Sequence, residues 1–266
     1  MTKPEILAIA QPINFAAQMA RKTHDGGKTL TARVMKPQPG MCEKCGCNMF
    51  VELLDLVAGG QEYACLCTNE FCGNAFAAPQ PKYTVGDLLY VREPWERWSG
   101  TCTCEDEEFL LDCGPEDCDR CKHKGPAKIV YEADCINPHP NTKFREPDTM
   151  WPELARTFLR VTAVRAERLQ DSIMRYVCSA LVLQEEGMDI GDDCRQCIED
   201  NGEPCCRGEI DRDGSRLAAC EKLGELLFRF AHLWDTLYYK EGKLSYMFQS
   251  NPWCWIYEFE RVMPDG

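Results

Sequence analysis

Gly26-Gly27-Lys28-Thr29-Leu30-Thr31-Ala32-Arg33 is the stretch on which the reading of this chain turns. The glycine pair ends a helix that Pro12 opens and that runs from Ile13 to Thr23, with Phe15, Met19 and Ala20 as its apolar stripe. From Lys28 to Met35 polar and apolar residues alternate around Thr and Val, the pattern of a β-strand. Residues two apart on a strand share a face, so Lys28, Thr29, Thr31 and Arg33 either line a pocket or form a solvated edge. Spacing alone favours the solvated edge.

Outward from this point the chain reads as short strands with a few helices. Ile6 to Ala10 is a short apolar run with the look of a strand, and Pro37-Gln38-Pro39-Gly40 closes the first unit. Tyr83 to Arg92 reads as a strand pair or as a turn at Gly86-Asp87 leading into a strand, which Glu93-Pro94-Trp95 ends. Lys128 to Ala133 and Phe158 to Arg165 read as further strands. A helix begins at Asp171 or Ser172, either of which suits an N-cap, and reaches about Glu186. Leu223 to Tyr239 is amphipathic, with Leu226, Leu227, Phe230, Leu233, Trp234 and Leu237 on one side. Trp253 to Val262 alternates and closes the fold as a strand. The pattern predicts an α+β chain built on a small β-barrel flanked by helices.

The charge is unevenly spread. The chain has 266 residues, 19 cysteines and a net charge of −13. Three stretches, 40–80, 99–127 and 190–226, hold 16 of the cysteines and a net charge of −14, which leaves the rest of the chain at +1. That is the pattern of a near-neutral host, segments 1–39, 81–98, 128–189 and 227–266, interrupted by three acidic inserts. So acidic a chain is no generic nucleic-acid coat protein, although residues 1–39 alone carry 6 basic and 2 acidic residues. No apolar run approaches the length of a membrane span, and the first residues lack the basic start and long apolar stretch of a signal peptide. The expectation is a cytoplasmic protein with no membrane partner.

An odd cysteine count in a reducing compartment speaks against a disulfide framework, and the spacing speaks for metal. Cys42-x2-Cys45-Gly46 followed by Cys67-x4-Cys72-Gly73 has the layout of a zinc ribbon, the glycine after each second thiolate permitting the tight turn of a knuckle. Cys47 and Cys65 are alternative ligands. In the second insert Cys118 and Cys121 are the firm half, with Cys104 and Cys113 as partners and Cys102 and His123 in reserve. In the third, Cys194, Cys197, Cys205 and Cys206 form the set, with Cys220 further on. Four thiolates close a zinc sphere, so two to three structural zinc ions are expected and a catalytic one is not.

The motifs in chain order resemble the ASCH superfamily, and in particular its phage-type members. The resemblance rests on Gly26 to Arg33, on Gly86-Asp87-Leu88-Leu89-Tyr90-Val91-Arg92-Glu93-Pro94-Trp95, on Leu159 to Asp171, on Glu186-Gly187, on Leu233 to Leu237 and on Asn251-Pro252-Trp253-Cys254-Trp255-Ile256-Tyr257-Glu258-Phe259. It covers the host segments and skips the inserts. It departs at Ala32, where many phage-type members carry an arginine. What the resemblance implies is a single PUA-like barrel domain that handles RNA or a modified nucleoside. Small bacterial members hydrolyse the amide of N4-acetylcytidine with a lysine, a threonine and a glutamate. By position these would be Lys28, Thr31 and Glu186, with Glu185 adjacent, while Arg33, Thr29 and Trp95 would contact substrate. Trp98 is a further stacking candidate, whereas Trp253 and Trp255 share one face of the last strand and read as core. A non-catalytic RNA-binding module is the alternative, as is a phage-encoded adaptor whose acidic inserts contact a host protein.

Overall fold

The computed structural model describes residues 1–55, 61–99, 127–135, 143–174, 183–184, 186–188, 221–239 and 242–265. The ligand sets expected in the second and third inserts (Cys104, Cys113, Cys118 and Cys121; Cys194, Cys197, Cys205 and Cys206), the reserve residues Cys102, His123 and Cys220, and Glu185 all lie outside these residues. The described elements are α1 (Lys3–Leu7), β1 (Gln11–Asn14), α2 (Ala17–His24), β2 (Leu30–Val34), β3 (Met49–Asp55), β4 (Gln61–Cys67), β5 (Ala75–Ala77), β6 (Leu88–Arg92), β7 (Trp95–Ser99), β8 (Ala127–Tyr131), β9 (Phe158–Arg168), α3 (Leu169–Met174), α4 (Glu221–Tyr239) and β10 (Trp253–Val262). The architecture is mixed α+β. Its largest sheet has the order β1-β6-β9-β10-β2 and is open among the described residues, where a closed barrel was expected.

The chain divides into two compact units, each discontinuous in sequence. The first comprises Met1–Asp25, Leu88–Leu159 and Arg261–Gly266. Here β1 pairs parallel with β6, from Gln11↔Leu89 to Asn14↔Arg92. Ile6, Leu88, Tyr90, Trp95, Met150, Ala155 and Phe158 form its core. The segment around Ile6 is helical rather than extended. Pro4 sits in the first turn of α1, where its missing N–H costs nothing, and the Glu5 carboxylate accepts the Thr2 N–H at 2.8 Å. Buried Glu93 receives a two-pronged Arg156 guanidinium at 2.8 and 2.9 Å, and Arg156 also reaches Asp134 at 2.7 Å. The strand expected to stop at Trp95 gives way to a second one, β7, which pairs antiparallel with β8 from Trp95↔Tyr131 to Ser99↔Ala127.

The second unit comprises Gly26–Asp87 and Arg160–Glu260. Antiparallel pairing of β2 with β10 runs from Leu30↔Glu258 to Val34↔Cys254. Even-numbered residues of both strands, Leu30, Ala32, Val34, Cys254 and Ile256, face a core completed by Leu226, Phe230 and Trp234 of α4 and by Leu169, Ile173, Leu183 and Met188. Leu226, Phe230 and Trp234 recur every fourth residue, which lays them on one helix stripe; truncating either aromatic would cost about 3–5 kcal/mol. Leu237 falls off that stripe and is exposed. The helix predicted to start at Asp171 or Ser172 starts at Leu169 instead. Asn251, distant in sequence, supplies its cap, its side-chain oxygen accepting the Gln170 N–H at 2.8 Å. Residues of the first insert form the three-stranded antiparallel sheet β3-β4-β5.

Candidate functional site

Lys28 and Glu186 meet in the second unit. Among the described residues β2 is the last strand of its sheet, and the odd residues around it bond inward: the Met35 N–H donates to Trp253 O, and Thr29 O accepts from the Phe259 N–H, each at 2.9 Å. Even residues therefore point their backbone groups at the open edge, where an unpaired N–H or C=O is costly. Side chains fill that edge. Lys28 Nζ donates to Leu30 O at 2.6 Å, Glu186 Oε1 accepts the Ala32 N–H at 2.7 Å, and the Tyr238 hydroxyl accepts the Val34 N–H at 3.4 Å. Lys28 Nζ also donates to Glu186 Oε2 and to Glu186 O, both at 2.7 Å.

All three ammonium hydrogens thus have acceptors, and both carboxylate oxygens are engaged. The Lys28 side chain is 1% exposed and that of Glu186 8%. Burial draws the Lys28 amine below the ordinary lysine range; the Glu186 carboxylate pulls back against it, and Arg33 adds to the lowering. A short hydrogen bond between a depressed amine and a carboxylate is a path along which a proton can move.

The other expected site residues are placed less uniformly. Thr31 is buried on the opposite face of β2, where it pairs across the ladder with Tyr257. Arg33 is half-buried and faces the same way as Thr31. Thr29 is exposed. Trp95, expected at a substrate surface, is a core side chain of the first unit, 3% exposed, with its indole N–H on Thr149 Oγ1 at 3.1 Å and the Arg145 guanidinium over its ring. Its large apolar ring gains more from burial than a solvated stacking position would give. Trp253 and Trp255 are buried, as read from the sequence. Tyr238 carried no sequence signal for its role, because only tertiary folding brings a helix end to the edge of β2.

The first insert gathers the second cluster. The thiol sulfurs of Cys42, Cys45, Cys67 and Cys72 all lie within 4.8 Å of one another. Cys42 Sγ is 3.6 Å from Cys72 Sγ, and Cys45 Sγ is 3.4 Å from Cys67 Sγ. Both knuckles turn at a glycine in the left-handed region, Gly46 at φ 72° and Gly73 at φ 59°. The Gly46 N–H closes the first turn on Cys42 O, and the Cys72 N–H closes the second on Asn69 O. Burial works against ionising Cys42, but backbone N–H groups of Cys45 and Lys44 and the Asn74 amide outweigh it and bring the thiol down to about 6. Asn74 Nδ2 reaches Cys42 Sγ at 3.2 Å, a contact invisible in the spacing. The alternative ligands are set aside by geometry: Cys65 is buried on the inner face of β4, and Cys47 is turned toward the Cys45 carbonyl. Four thiols at one point, from two knuckles at the ends of a small antiparallel sheet, form a set that can hold a tetrahedral metal ion.

No family model, no curated protein and no solved structure matches this chain. No helix among the described residues is long and apolar enough to cross a membrane.

Proposed function

We propose that the chain is an ASCH-like protein acting on RNA or a modified nucleoside, and that its reaction is hydrolysis of the amide of an N4-acylated cytidine. The observation that carries this reading is the 2.7 Å contact between Lys28 and Glu186, residues 158 positions apart that the motif resemblance pairs for that chemistry. The reaction needs a base for water, a donor for the oxyanion and an acid for the leaving amine. Transfer of the Lys28 proton to Glu186 leaves a neutral amine that takes a proton from water. Hydroxide adds to the acyl carbonyl and Glu186 returns its proton to N4 as the C–N bond breaks; the oxyanion role that the resemblance gives Thr31 requires the carbonyl oxygen to reach the opposite face of β2. The products are cytidine and a carboxylic acid, which loses its proton to solvent. Substrate entry requires one of the hydrogen bonds now closing the β2 edge to yield.

The test is incubation of the purified full chain with N4-acetylcytidine and chromatographic measurement of released cytidine. Turnover in the wild type that Lys28→Ala and Glu186→Gln each remove supports the reading. Absence of turnover with retained binding of a single-stranded RNA favours the non-catalytic module. The complete set of acceptors around Lys28, which suits a structural ammonium, speaks for that second reading.

The four-thiol cluster is read as a structural zinc site. Thiolates suit zinc, a full set of four leaves no open position for water or substrate, and two glycine-turned knuckles hold the set in place. The cysteines of the other two inserts would hold one or two ions more. Elemental analysis of chain purified without chelator tests the count.

A further inference from the structure

We infer that Tyr63 is the positioning residue through which the metal knuckle fixes the sheet face bearing Thr31, an inference that rests on the four thiolates holding a metal. Tyr63, Cys65 and the ligand Cys67 alternate along β4 and so share one face. Across the ladder, Leu53, Val51 and Met49 of β3 stand opposite them in that order. Val51, Met49, Tyr63 and Cys65 are buried, whereas every residue of β5 is exposed. Among its described residues the insert thus has one apolar face and no second layer of its own. Metal would hold the insert together at one end, and what Tyr63 touches sets its position at the other.

Tyr63 touches two neighbouring strands of the large sheet. Its ring stands edge-on to Trp255 of β10 at 4.6 Å and 71°, and its hydroxyl donates to Val164 O of β9 at 3.0 Å. Its own backbone carbonyl accepts from the Ala78 N–H at 3.0 Å and from Gln80 Nε2 at 3.2 Å, so the residue is held from behind as well. Trp255 pairs with Arg33, and the next residue on that face, Tyr257, pairs with Thr31. Tyr257 is covered in turn by Tyr83, edge-on at 5.3 Å, and its hydroxyl accepts the Lys82 N–H at 3.1 Å. Aromatic rings therefore roof the Thr31 face. The metal-bound end of β4 lies four residues from the ring that anchors the roof, about 13 Å along the strand.

The experiment is hydrogen exchange by mass spectrometry on the full chain, with zinc content measured in parallel before and after treatment with a chelator. Zinc removal should raise exchange in peptides covering 253–259 and 30–34 by about tenfold or more, together with that of 61–67. Tyr63→Ala should reproduce the rise in 253–259 with zinc still bound. Tyr63→Phe should restore protection there, because it keeps the ring against Trp255 and loses only the hydroxyl bond to Val164 O. Rapid exchange confined to 61–67 after zinc removal would overturn the coupling, as would a Tyr63→Ala chain with native exchange in β10. A chain that carries no metal as purified overturns the thiolate assignment, and the coupling with it.

Discussion

Lys28 Nζ sits 2.7 Å from Glu186 Oε2, and the same two side chains satisfy Leu30 O and the Ala32 N–H at the edge of β2. One pair therefore neutralises its own buried charge and closes a strand edge. Removing one partner leaves the other charged, buried and unpaired, which costs about 3–5 kcal/mol. Lys28→Ala is expected to lower the urea unfolding free energy by that amount. Replacing both at once with Met should cost less than the sum of the single changes, as read from a double-mutant cycle.

Where the single variants remain folded, their activity should still fall. General acid–base groups contribute roughly a hundred- to ten-thousand-fold. Lys28→Ala and Glu186→Gln should each lose that much in kcat on N4-acetylcytidine, measured on samples shown by circular dichroism to be native.

Metal content should drop by about one equivalent in Cys42→Ser and in Cys67→Ser, because a tetrahedral thiolate site does not survive loss of a ligand. Cys47→Ser and Cys65→Ser should keep full content, as neither sulfur belongs to the cluster. Atomic emission on chain purified without chelator separates the two outcomes.

Alkaline pH should weaken the second unit through Tyr257. Burial raises its phenol from the ordinary 10 to about 12, against lowering by backbone hydrogen bonds from Lys82 and Tyr83. A group whose pKa is raised on folding contributes stability that is complete below the unfolded value and lost as pH climbs to the folded one. Unfolding free energy should therefore fall between about pH 10 and 12. The fall should be shallower in Tyr257→Phe, as followed by denaturant titrations across that range.

Arg156→Ala should destabilise the first unit by about 3–5 kcal/mol, since Glu93 is 1% exposed and the guanidinium grips both of its oxygens. Arg156→Lys should recover little of this, because an ammonium cannot make the parallel pair. Thermal melts of the three chains decide it.

The sequence by itself determined the local elements that a repeating pattern writes out. Alternation marked β2 and the long β10, four-residue periodicity marked α4, and two knuckles of paired cysteines with their glycines marked the four thiols that converge. In each case the residues that make the feature lie close enough along the chain for spacing to fix their relation. Ile6 misled because an apolar run of five has no period of its own, and the Pro4 turn and Glu5 cap decided for helix. Tertiary structure alone decided the rest. Asn251 rather than Asp171 or Ser172 caps α3, Trp95 went to a core rather than a surface, and among the described residues the sheet is open where a barrel was expected. Only folding, too, could give Lys28 its surroundings. A lysine on a polar strand reads as solvated, and it becomes a buried, fully bonded ammonium because an edge strand leaves backbone groups that something must satisfy. The carboxylate that completes the arrangement arrives from 158 residues away.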